Sequence, residues 1–128
     1  MDSVTGARLW TGRVLSGVAI VFLFADAMGK LLVAQMSLEG TVALGYPASA
    51  VFPIGVLLMI GVVLYAIPRT AVVGAIYLTG FLGGALATHF RIDSPLFTHT
   101  LFAVYVAAFV WGGLLLRNQR LLALMLGR

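Results

Sequence analysis

The chain has 128 residues, of which 62% are hydrophobic and 9% charged, with no cysteine and a formal net charge of +4. Soluble domains carry roughly 25% charged residues, so this composition cannot dress a water-facing surface, and lipid must cover most of it. The missing cysteines exclude disulfides, thiol nucleophiles, Cys-ligated zinc and iron–sulfur clusters; the basic residues, scattered singly between apolar runs, form no groove for a nucleic-acid backbone.

The first apolar run covers 14–34 and is interrupted only by Asp26 and Lys30. Arg8 and Arg13, the run Val14 to Phe24 and the triplet Ala25-Asp26-Ala27 also imitate a signal peptide with its cleavage site. The apolar sequence resumes after Lys30, which favours a membrane helix. The link 37–45, SLEGTVALG, is short and amphipathic and is expected to lie along the membrane surface as a partial helix. A second run, 47–67, carries no charge; Pro47 suits its first turn, and Pro53 should kink it or split off its first turn. Pro68 stops that helix and Thr70 can cap the third, 70–90, which is interrupted only by His89 near its end. Ser94 as N-cap and Pro95 as first helical residue open the fourth, 95–116, with His99 near its start.

Each run is about 20 residues, which at about 1.5 Å per residue spans a hydrocarbon core of about 30 Å. Only helices or closed barrels satisfy their backbone in lipid, and these runs lack the period-2 alternation of strands. The fold expected is therefore all-α: a polytopic membrane four-helix bundle, forming one transmembrane domain over 1–128. With four spans both termini share a side. That side holds Arg8, Arg13, Arg69, Arg117, Arg120 and Arg128, while the other holds Lys30, Arg91, Glu39 and Asp93. The positive-inside rule then predicts cytoplasmic termini, with Asp26, Lys30, His89, Arg91 and His99 in the outer half.

Gly80 and Gly84, continued by Ala87 and Thr88, make a small-residue strip expected to pack within the bundle; Gly12, Ala19 and Asp26 share a similar face on the first helix. Trp10, Trp111, Tyr46, Tyr65 and Tyr105 are spaced as an interfacial aromatic belt. Tyr77 falls mid-bundle, where its hydroxyl needs a partner or a ligand.

Asp26 lies about 12 Å of helix below the end of its span, where a charge costs roughly 2.5–3.5 kcal/mol. Two readings stand. Lys30, in the favourable i,i+4 order, neutralises Asp26 and steadies the helix; or the pair faces an internal cavity and handles a proton or a polar headgroup. His89 and Arg91 likewise either form an interfacial belt or, in the case of His89, meet Asp26 and Lys30 across the bundle in a cluster suited to proton transfer. His99 is a further ligand-binding candidate, and a His89–His99 haem pair is left open on thin grounds. No metal site is expected.

The Asp26-x-x-x-Lys30-Leu31 segment, LGYP at Leu44 to Pro47, the stretch Leu64 to Arg91, SPLFTHTLFAVY from Ser94 and WGGLLLRNQRL from Trp111 resemble, in order and spacing, the DoxX-like family of small bacterial membrane proteins. The resemblance covers nearly the whole chain and implies a four-helix bundle in a bacterial inner membrane. It links the chain to subunits of quinone-coupled sulfur oxidation and to oxidative-stress complexes, with Asp26, Lys30, His89 and Arg91 as family-like positions. The expectation is a polar pocket binding a small lipophilic, quinone-like molecule. Asp26, Lys30 and His89 would handle protons, and Arg91, Tyr77 and His99 would bind the ligand. The alternative is a non-catalytic subunit or assembly factor in which Asp26 and Lys30 form a structural lock. A homo-oligomer or a redox partner subunit is compatible with either.

Overall fold

A computed structural model describes residues 6–128, so the first residues of the expected domain lie outside the description. The described residues are helical, with no strand. The elements are α1 (Gly6–Leu31), α2 (Gln35–Ala43), α3 (Val51–Ala66), α4 (Ala71–Arg91), α5 (Phe102–Arg117) and α6 (Gln119–Met125). Four segments are long and apolar enough to cross a membrane: Gly6–Leu31, Ala48–Ala66, Pro68–Arg91 and Leu96–Arg117.

The limits differ from the sequence expectation in physically readable ways. The first helix extends N-terminal to the apolar run and is already formed at Gly6, the first described residue. Pro53 sits in the first turn of α3, after a short 3-10 turn at Ala48–Ala50, where its missing N–H removes no intrahelical bond. Thr70 precedes α4, but its hydroxyl donates backwards to the Leu64 carbonyl at 2.7 Å instead of capping. The fourth span opens with a wide π-type turn, Leu96–Thr100, in which the N–H groups of His99 and Thr100 both donate to the Pro95 carbonyl at 3.0 Å. Ser94 caps nothing there; its hydroxyl is hydrogen-bonded to His89 instead. The tail after α5 forms a further helix, α6, whose N-cap Asn118 accepts from the Leu121 N–H at 3.0 Å.

The four long helices form a closed ring in which α1 packs on α3 and α5, and α4 packs on the same two; across the α3–α5 diagonal the backbones stay apart and the contact is made by the Tyr65 side chain. Lipid offers no hydrophobic drive between helices, so close backbone approach must hold them together. Glycines supply it. A Cβ on Gly74 would stand 2.6 Å from the Tyr65 Cα, one on Gly12 would stand 2.8 Å from the Gly113 carbonyl, and one on Gly55 would stand 3.0 Å from the Leu31 N. These contacts lock α3 on α4, α1 on α5 and α1 on α3. Leu58 and Leu78 fill the space between as fully buried core residues.

Two expectations are corrected. Gly80 and Gly84 make no close packing contact, for nothing lies within 4 Å of a Cβ built on either. Tyr65 is no belt residue. It is 2% exposed, and its hydroxyl donates to the Val110 carbonyl at 2.6 Å. Ser16 must then give its proton to the Tyr65 oxygen, at 2.8 Å, and in turn accepts from Arg117 Nη2 at 3.1 Å. This directed chain ties α1, α3 and α5 together at the arginine-bearing end. A buried hydroxyl needs such partners, and here every proton has an acceptor. Trp10 does behave as a belt residue, exposed with Arg13 stacked 5.2 Å over its ring.

Candidate functional site

At the opposite end, where α1 and α4 finish and α3 and α5 begin, the ring encloses a cavity of about 510 Å³. It exists because α4 presents Gly80, Gly84 and Ala85 toward it, leaving unfilled the space a larger side chain would take. Phe22, Leu23, Ile54, Leu57, Phe81 and Val106 make apolar walls; Asp26, Lys30, Thr41, Tyr46, Thr88, His89 and His99 supply its polar groups. An apolar volume of this size with a few convergent polar groups is the common form of a small-molecule site.

Four of the six residues singled out from sequence meet here. Asp26 and Lys30 stand one turn apart on α1 and form a direct ion pair. The Lys30 side chain is the more buried, at 17% exposure against 37% for Asp26. His89, from the last turn of α4, is hydrogen-bonded through Nδ1 to Ser94 Oγ at 3.0 Å. His99, from the π-type turn, is hydrogen-bonded through Nδ1 to Thr98 Oγ1 at 2.8 Å. The two imidazole rings lie 6.1 Å apart, edge to face. Each ring thus has one nitrogen fixed by a neighbour, which sets its orientation beside the cavity. Asp26 and Lys30 share the cavity with the histidines without a direct bond to them. No group of three or more His, Cys, Asp or Glu able to hold a metal occurs among the described residues.

Arg91 and Tyr77 stand apart from the cavity lining. Arg91 Nη2 donates to the Leu44 carbonyl at 2.6 Å and so holds the end of α2. Tyr77 donates to the Leu57 carbonyl at 2.7 Å, a partner that its mid-bundle depth required.

The surface segment expected at 37–45 is the helix α2, and it contributes more than the sequence suggested. Thr41 and Leu44 line the cavity, and beyond them Tyr46 reaches Thr88 with oxygens 3.1 Å apart. Thr41 and Tyr46 were not expected at the site. The turn signal LGYP placed Tyr46 near the interface, but no local pattern distinguishes a threonine facing a cavity from one facing lipid.

A ring of four apolar membrane-spanning helices, closed at one end around a mixed polar and apolar cavity, defines a helical multi-pass membrane protein. The model of the DoxX-like family matches residues 14–113, from the start of the apolar part of α1 to the last turns of α5. The chain belongs to the DoxX-like family. No curated protein matches it, and no solved structure does.

Proposed function

We propose that the cavity binds a small lipophilic molecule with an oxygenated, quinone-like head, and that the protein assists proton-coupled redox or detoxification chemistry on it. The observation that carries this is the arrival of Asp26, Lys30, His89 and His99, from three separate segments, at one cavity with apolar walls. Ionisable groups are expensive at membrane depth and face a bundle interior or pathway when present. Asp26 accepts or orients a proton, Lys30 balances its charge, and His89 relays the proton. Arg91 acts one step removed, by holding α2. The arginine distribution supports cytoplasmic termini, which puts the cavity in the outer half of the bilayer, in a bacterial inner membrane. The test is organic extraction and mass spectrometry of the purified protein. A bound lipophile in the wild type, lost in Asp26→Asn, is expected; an empty wild type together with an unaltered host phenotype in Asp26→Asn would end the proposal.

A second reading is favoured by the closure of the Asp26–Lys30 pair on itself. In it the protein is a non-catalytic subunit or assembly factor, and the pair is a structural lock. Asp26→Ala and Lys30→Ala would then each lower membrane accumulation, because each strands a charge. Replacing both with Leu would restore it. A single variant that accumulates normally yet abolishes the host phenotype would contradict the lock.

A further inference from the structure

We propose that Thr41 of α2 is the hydrogen-bond partner of the ligand's oxygenated head. Three polar side chains are buried among the described residues: Ser16, Thr41 and Thr100. Ser16 is paired with Tyr65, and Thr100 donates to the Ser94 carbonyl at 3.1 Å. Thr41 is 4% exposed as a residue and lines the cavity, and its hydroxyl makes no hydrogen bond to another of the described residues.

The omission is specific. Thr11, Thr79 and Thr88 each donate to the carbonyl four residues earlier in their own helices, at 2.7 to 2.8 Å. That intrahelical bond is the default for a threonine in an apolar setting. Thr41 sits well inside α2 with the Ser37 carbonyl at the corresponding position, and does not use it. The hydroxyl oxygen is not sealed in protein but opens onto the cavity, so a ligand oxygen there can pair with it. The cavity is where that partner fits.

Two contacts hold the segment just after Thr41 against α4. Arg91 holds the Leu44 carbonyl, and Tyr46 meets Thr88, so α2 is tied to α4 just beyond Thr41. The pairing needs an acceptor such as a carbonyl or ether oxygen. It discriminates against a pure hydrocarbon, which would leave the hydroxyl unpaired.

The assignment rests on the cavity being a ligand site, and the experiment separates the two. Purified protein in detergent is titrated with decyl-benzoquinone and with decylbenzene, which share a tail and differ in the head. Wild type is expected to bind the quinone, and Thr41→Val, of the same shape, to bind it about tenfold more weakly, in line with loss of one hydrogen bond. Thr41→Ser should return the affinity to within about twofold, and decylbenzene should bind wild type and Thr41→Val alike. Melting temperatures of the three proteins show whether α2 keeps its place. Equal quinone affinity in wild type and Thr41→Val overturns the role of Thr41 while leaving the cavity a ligand site. A weakening that Thr41→Ser does not reverse also overturns it, because volume or packing would then be the cause. Failure of wild type to bind either probe overturns both.

Discussion

The Arg91 guanidinium donates a hydrogen bond of 2.6 Å to the backbone carbonyl of Leu44, so the last residue of α4 holds the end of α2 beside the cavity. The chain turns beneath it at Gly45, whose φ of +96° suits glycine, and a Cβ there would stand 2.8 Å from Arg91 Nη2. Arg91→Met keeps the aliphatic stem and removes the donor. A charge-assisted bond contributes about 1.5–3 kcal/mol, so amide exchange over α2 should quicken by at least about tenfold, with α3 and α4 unchanged. Hydrogen-exchange mass spectrometry reads this directly; unchanged protection of α2 would show that the bond does not hold it.

The glycines of the bundle divide into two kinds, and alanine separates them. Gly74→Ala drives a methyl group into the Tyr65 backbone, with no flexible side chain to yield, and should lower stability by more than about 2 kcal/mol. Gly84→Ala meets open space and gains helix propensity of up to about 1 kcal/mol, so it should unfold no earlier than wild type. Thermal unfolding in detergent distinguishes the two. Equal loss in both would mean that the Gly84 face packs after all.

Much of the fold was legible because each apolar run is a transfer free energy written in sequence. The spans near 47–67, 70–90 and 95–116 needed only length, hydropathy and the proline punctuation. Helix ends were less legible. Thr70 and Ser94 have the right chemistry for caps, but Leu64 and His89 compete for their hydroxyls, and that competition is set by tertiary placement. For Gly80 and Gly84 the pattern alone fails in principle: small residues at this spacing read the same against a helix or against a void. Tyr65 was mistaken for a belt residue because its partners, Ser16 and Val110, lie on other helices. Asp26, Lys30, His89 and His99 were legible because charge or imidazole in an apolar run is conspicuous. Thr41 was silent because a hydroxyl is not.

The Ser16–Tyr65 pair supplies a third prediction. Tyr65→Phe removes the acceptor of the Ser16 proton and the donor to Val110 while keeping the ring in the core. Leaving buried groups unpaired costs about 1–3 kcal/mol, so the variant should melt earlier. Because the chain lies at the far end from the cavity, decyl-benzoquinone affinity should be unchanged. Lost affinity with normal melting would connect the two ends.

Backbone strain supplies the next. Val33, between α1 and α2, has a φ of +50°, a conformation that a β-branched residue rarely adopts. Such strain amounts to about 1–3 kcal/mol. Val33→Asn, a residue that tolerates this region, should raise stability by about 1 kcal/mol in chemical unfolding. A less stable variant would mean that the exposed Val33 side chain holds α2 more than its backbone strains it.

The central claim, that the cavity is a ligand site, is tested most directly by filling it. Gly84 lines the cavity that Asp26 and His89 also line, and nothing lies within 4 Å of a Cβ built on it, so Gly84→Leu adds bulk to the cavity while leaving both polar groups in the sequence. The decisive measurement is the dissociation constant of decyl-benzoquinone for purified wild type and for Gly84→Leu, with melting temperatures alongside. Saturable binding to wild type that weakens at least about tenfold in a normally melting variant is the predicted result. No binding to wild type, or equal binding to both proteins, would contradict it.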